Sequence, residues 1–218
     1  MPTDSDLTPD YGWNSIAGRY VNLTTGRFVS FLEVREALEF NLSAAQINMR
    51  TLSEKLIERT ISIEQWQLGM MEEIKLAHTS AAAAARGGWA QMTPSDWGYV
   101  GRQIRTQYDY LQNFANEIAS GKQLLNGNFL VRSDLYGQAA RGMFEDMRRR
   151  TEQLLNGMEE EIRDLGEADH CPDCLSAAGH WEVIGTLPRI GDSQCITNCH
   201  CRFRFRKFEK GKYVYSAD

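Results

Sequence analysis

The chain has 218 residues, with 29 acidic against 24 basic side chains and a net charge of −5. That is length enough for one helical domain plus a small appended module, and too acidic a balance for a protein that coats nucleic acid over its whole surface. No apolar run approaches the roughly 20 residues of a membrane span, and the polar, acidic start at residues 1–6 lacks the basic and apolar regions of a secretory signal, so neither a membrane partner nor secretion is expected.

Residues 11–29 mix aromatic and β-branched residues with turn chemistry. Arg19-Tyr20-Val21-Asn22 and Arg27-Phe28-Val29 around Leu23-Thr24-Thr25-Gly26 predict a short hairpin with Gly26 at positive φ. Ser30-Phe31-Leu32-Glu33 is a capping box, in which serine takes the N3 amide and glutamate reaches back to the cap. It opens a long helix whose apolar residues recur at helical spacing from Leu32 to Ile57, with a break predicted near Asn41-Leu42-Ser43.

A second box, Ser62-Ile63-Glu64-Gln65, opens a helix carrying Trp66, Met70, Ile74 and Ala77. It should stop at Gly87-Gly88, after an alanine run at 81–85 suited to close helix packing. Thr93-Pro94-Ser95-Asp96 supplies a threonine cap and proline at N1 for a third helix reaching Gly121. Ser133 is the expected cap of a fourth, continuing through Leu135, Met143, Met147, Leu154 and Met158 to Leu165-Gly166. His78, Glu72 and Glu73 read as surface residues of these helices. Arg148-Arg149-Arg150, surrounded by Glu145, Asp146 and Glu152, reads as surface ion pairs.

All five cysteines fall in the last quarter of the chain, as Cys171-x2-Cys174 and Cys195-x3-Cys199-x-Cys201. In a reducing compartment an odd number of thiols around a CxxC argues for metal ligation over paired disulfides or free thiols. One tetrahedral Zn2+ is the simplest occupant. The CxxC knuckle supplies two ligands, and two more come from Cys195, Cys199 and Cys201, so one of these three is spare. His170 and His180 are weaker ligand candidates. Four protein ligands close the coordination sphere, which makes the zinc structural and argues against an enzyme; Asp169 and Glu182 could be bases beside an open metal, but their spacing does not require it. Trp181 is the expected small core of the loop between the clusters, with metal binding contributing much of the module's folding free energy.

After Cys201 the chain alternates as Arg202-Phe203-Arg204-Phe205-Arg206, followed by Lys207-Phe208 and a turn near Gly211 into a second strand. The basic face has two readings. It is a solvated charged face protecting an edge strand, or a strip of Arg202, Arg204, Arg206 and Lys207 that touches phosphate or an acidic partner.

The segments Ala168-Asp169-His170-Cys171-Pro172-Asp173-Cys174, Leu187-Pro188 and Cys195-Ile196-Thr197-Asn198-Cys199-His200-Cys201 resemble the minor head or head-morphogenesis proteins of tailed bacteriophages, the Mu F-like kind. The likeness is strongest over 168–202; in the helical body Trp66-Gln67, His78, Gly87-Gly88 and Asp96-Trp97-Gly98 are similar in order and spacing. That family's usual His-Pro step before the final C-x-C is absent here, with Cys195 nearby instead. The resemblance implies a virion component near the portal, made in the host cytoplasm, and no enzymatic activity.

The expected architecture is mainly α. An N-terminal arm and hairpin (1–29) precede an elongated helical bundle (30–166) and a Cys-rich zinc-binding β module with a basic tail (167–218). The expected function is structural, by contact with other phage proteins of the portal, capsid or neck, and with phage DNA as a further partner, in a homo-oligomeric arrangement. The alternative is a zinc-module nucleic-acid-binding protein that uses the basic strand.

Overall fold

The computed structural model describes residues 11–14, 16–166 and 169–216; the acidic start at 1–6 lies outside them. The N-terminal hairpin is present and gains a strand. β1 (Tyr11–Asn14), β2 (Arg19–Asn22) and β3 (Phe28–Val29) form an antiparallel meander in that order, its second turn closed by the Asn22 side chain accepting from the Thr24 and Thr25 amides and by Gly26 at φ 69°. The meander docks on the helices where Trp13 N–H donates to Gly87 O at 2.9 Å. A Cβ on Gly87 would lie 2.2 Å from that of Trp13, so glycine both ends the preceding helix in the left-handed region and permits the contact.

Helix α1 (Phe31–Ile57) starts at the Ser30–Glu33 box and runs unbroken. The break predicted near residues 41–43 does not occur: Leu42 is buried in the core, which holds this turn helical, and the Ser43 hydroxyl is accommodated by donating to Glu39 O within the helix. Helix α2 (Ile63–Arg86) begins at its predicted box, and α3 (Pro94–Ala119) at its predicted threonine cap, which Asp96 completes into a reciprocal box. Helix α2 is central and touches α1, α3 and α5, and its alanines at 81–85 are all buried.

The fourth helix departs from expectation at both ends. Helix α4 (Gly127–Gln138) is capped by Asn126, whose side chain accepts from the Asn128 and Phe129 amides. Ser133 is buried mid-helix and donates to Phe129 O at 2.9 Å. After a bend at Ala139, α5 (Ala140–Leu155) follows, and the segment expected to prolong it is a strand, β4 (Glu160–Asp164). The C-terminal sheet therefore recruits residues from before the expected boundary at 166/167.

That sheet is antiparallel in the order β5 (Glu182–Val183), β4, β6 (Arg202–Glu209), β7 (Lys212–Tyr215). With the one-turn helix α6 (Pro172–Ser176), it encloses Met158, Ile184, Leu187, Ile190, Phe203 and Phe205 together with Cys174, Cys199 and Cys201. Trp181 is not in this core. It lies half-buried on the outside, its ring 5.8 Å from that of Tyr215 and beneath the Arg206 guanidinium. Among the described residues no helix is long and apolar enough to cross a membrane.

Arg148 and Arg149 are not surface residues, as the sequence suggests, but the joint between body and sheet. Both are buried. Phe203 N–H donates to Glu145 Oε2 at 3.2 Å and its carbonyl accepts from Arg148 at 2.7 Å, so two side chains of α5 complete the free edge of β6 where β7 does not reach. Arg149 pairs with the wholly buried Glu161 at 2.7 Å and donates to Leu187 O. Arg189 pairs with Asp146, which also accepts from Tyr99. Gly142 admits this loop, since a Cβ there would meet Ile190 O at 2.6 Å.

Candidate metal centre

Pro172 at the first position of α6 fixes the turn that follows Cys171 and brings Cys174 back over it. The second strand of the cluster is shaped by Ile196 at φ 47° and the tight turn Ile196–Asn198, after which Cys199 and Cys201 lead into β6. Asp173 ties the two halves together by accepting from the Gln194 backbone at 3.0 Å and from its side-chain amide at 3.3 Å.

All five cysteines meet, and all are free thiols. Their sulfurs form two overlapping triads, each with every Sγ within 4.8 Å of the others: Cys171, Cys174 and Cys195, and Cys174, Cys199 and Cys201. Individual separations are 3.5 Å for Cys171–Cys195 and Cys174–Cys195, and 3.7 Å for Cys174–Cys199. A tetrahedron of sulfurs about 2.3 Å from a zinc has edges of about 3.8 Å. The cluster can therefore hold a metal ion. Cys174, Cys199 and Cys201 are buried, while Cys171 and Cys195 are half-exposed.

The thiols compete for protons. Cys171 is drawn down to about 7, first by the Cys174 backbone amide, and Cys199 down to about 4, first by a hydrogen bond from the Cys201 thiol. The same bond pushes Cys201 up, while burial is the main force raising Cys174 and Cys195. Five thiols in contact cannot all ionise by themselves; a bound dication would remove that conflict.

Chemistry beyond the cysteines was not legible in the sequence. Arg163 on β4 is almost wholly buried, with Nη1 3.5 Å from Cys174 Sγ, 4.0 Å from Cys199 Sγ and 3.5 Å from Ser193 Oγ. Its other amine donates to the carbonyls of Pro188 and Arg189. Strand β4 turns its charged residues Glu161 and Arg163 inward and leaves Ile162 half-exposed, the reverse of what hydrophobic alternation selects. The only signal available was the set of complementary groups, Arg149 and the cysteines, which lie far from β4 in sequence.

The two histidine candidates separate. His170 Nδ1 lies 3.7 Å from Cys201 Sγ and its Nε2 2.7 Å from Gly166 O. His180 is exposed, 3.6 Å from Glu182, and sits outside the cluster. Asp169 is exposed as well.

Comparison with protein-family models, with curated proteins and with solved structures returns no match. The resemblance drawn from the cysteine segments thus rests on the residue pattern.

The basic strip is paired within its own sheet. Arg202 and Arg204 both reach Asp164, at 2.8 and 3.5 Å, and Arg206 reaches Glu160 at 2.5 Å while lying over Trp181 and Tyr213. Lys207 donates to Asn156 O and lies 3.4 Å from Glu209.

Proposed function

We propose that this chain is a structural protein of a tailed-phage particle, acting near the portal in head assembly or head–tail connection through protein–protein contacts. Its C-terminal module is held by structural zinc rather than used for catalysis. The observation that carries this reading is the convergence of all five thiols at the end of a helical body, in the order CxxC, proline loop, C-x-C, since that is the pattern the Mu F-like proteins resemble. The helical body is read as an elongated bundle that offers extended surfaces for neighbours, including further copies of the chain.

Zinc is preferred because soft thiolates at tetrahedral spacing select it among common divalent ions. The rival reading, a nucleic-acid-binding strip, has less support, because Arg202, Arg204 and Arg206 already have carboxylate partners and would have to give them up for phosphate. Mass spectrometry of particles purified from the chain's own source tests the proposal. The chain should be present in DNA-filled heads at a fixed copy number; finding it only outside particles overturns the phage reading. Elemental analysis of the purified chain tests the zinc separately.

A further inference from the structure

We infer that the module holds two metal ions bridged by Cys174, and that His170 is a ligand of the inner one. This rests on the zinc reading above and deepens it from the single ion with a spare cysteine that the sequence suggests. The sulfur geometry supplies the first argument. Cys174 is the one thiol common to both triads and is fully buried, the position a bridging thiolate must occupy.

His170 supplies the second. A backbone carbonyl can only accept, so the 2.7 Å contact with Gly166 O places the proton on Nε2 and leaves the Nδ1 lone pair facing Cys201 Sγ at 3.7 Å. Metal-bound histidines characteristically donate their second ring N–H to a carbonyl or carboxylate. Nitrogen and sulfur bound tetrahedrally to one zinc stand about 3.6 Å apart. Cys174, Cys199 and Cys201 thus hold the inner ion, and His170, in contact with Cys201 but outside the triad of sulfurs, closes on it as the fourth ligand when the ion binds. The outer ion is held by Cys171, Cys174 and Cys195, and the half-exposure of Cys171 and Cys195 lets solvent provide its fourth ligand.

Charge supplies the third. One dication with four thiolates leaves two net negative charges and a fifth, idle thiol in a buried site. Two dications with five thiolates leave one, which the buried guanidinium of Arg163 matches. Among the described residues the hydrogen-bond partners of Arg163 are two cysteine sulfurs, the Ser193 hydroxyl and the Pro188 and Arg189 carbonyls, and its guanidinium lies 5.5 Å from the Phe203 ring. A buried cation without a carboxylate is costly unless another anion faces it, and the bridged centre is that anion.

The test uses the full chain. Elemental analysis after zinc loading should give two ions per chain, and loading with cadmium-113 should give two NMR resonances split by coupling through the shared sulfur. His170→Ala should lower the count to one while helical circular dichroism is unchanged, and Cys174→Ser should abolish the coupling. One ion per chain, indifferent to His170→Ala, would overturn the inference and leave the zinc reading intact; no metal at all would overturn both. Two uncoupled resonances would remove the bridge, and two ions retained in His170→Ala would remove the ligand assignment.

Discussion

Between α1, α2, α3 and α4 the interior is filled by rings and thioethers: Trp66 stands edge-on to Phe114, Phe114 stacks on Tyr136 and Phe129 is tilted against both Trp66 and Phe114, in one cluster with Met49 and Met70. The C-terminal sheet instead buries three of its five thiols, a glutamate and an arginine around two phenylalanines. The helical body is stabilised mainly by removing apolar surface from water, at about 25 cal/mol per Å². The module adds to its own apolar cluster buried charged groups that must be matched one by one. The two regions should therefore fail under different insults.

Metal removal is the sharpest way to separate them. On the zinc reading proposed above, the metal contributes an apparent 10–16 kcal/mol or so, as in small domains built around a structural zinc, and the apolar clusters between the helices contain no cysteine. Chelation, or Cys174→Ser, is expected to release hydrogen-exchange protection across 158–216 while α1–α4 keep theirs. A single transition that takes the helices down with the module would break the comparison.

The joint is next. Burial pushes the Glu161 carboxyl up, against the pull of Arg149, and removing one member of a buried pair costs about 3–5 kcal/mol because the other is stranded. Arg149→Met should therefore destabilise the chain by about that amount in denaturant unfolding. Adding Glu161→Gln should recover most of it, since glutamine still accepts from the Leu187 amide without the charge. No recovery would mean that Arg149 acts through its stacking on Phe203, 4.0 Å away, and not through charge.

What is legible in the sequence and what is not divide along the same line. The caps at Ser30, Ser62 and Thr93 are local, four-residue motifs and chemically specific, and each begins a helix where the sequence places it. The meeting of the cysteines is legible too, because their spacing is itself the signal. What stayed hidden were long-range pairings: Arg148 with Phe203, Arg149 with Glu161, and Arg163 with the thiols. A charged residue in sequence looks the same whether it faces water or a buried partner, so Arg148 and Arg149 read as solvated and β4 as more helix. His78 is buried on α2 and looks like a surface residue in the sequence for the same reason.

His78 gives the helical body its own acid sensitivity. It is buried on α2, bonded through Nδ1 to Ile74 O at 2.9 Å, and burial holds its pKa down at about 4, with Arg189 acting in the same direction. An unfolded histidine takes a proton below about 6.5, whereas the folded one stays neutral until about 4. Stability is thus lost as pH falls from about 6.5 to about 4, by roughly 3 kcal/mol in all, and this residue adds no dependence above that window. His78→Leu should flatten the acid limb of thermal unfolding followed by helical circular dichroism. An unchanged slope would assign the limb to other groups.

The smallest effect addresses the one helix start that was misplaced. Asn126 accepts from two otherwise unpaired amides at the head of α4, and a cap of this kind is worth about 1 kcal/mol, so Asn126→Ala should cost about that much. Ser133, once expected to cap the helix, spends its hydroxyl on a carbonyl already bonded within the helix, a bond that slightly disfavours helical geometry. Alanine there also has the better helix propensity. Ser133→Ala should therefore cost less than roughly 0.5 kcal/mol. The order of the two costs, measured by urea unfolding, decides which residue begins α4; the reverse order would mean that the Ser133 hydroxyl fills space in the core that a methyl group cannot.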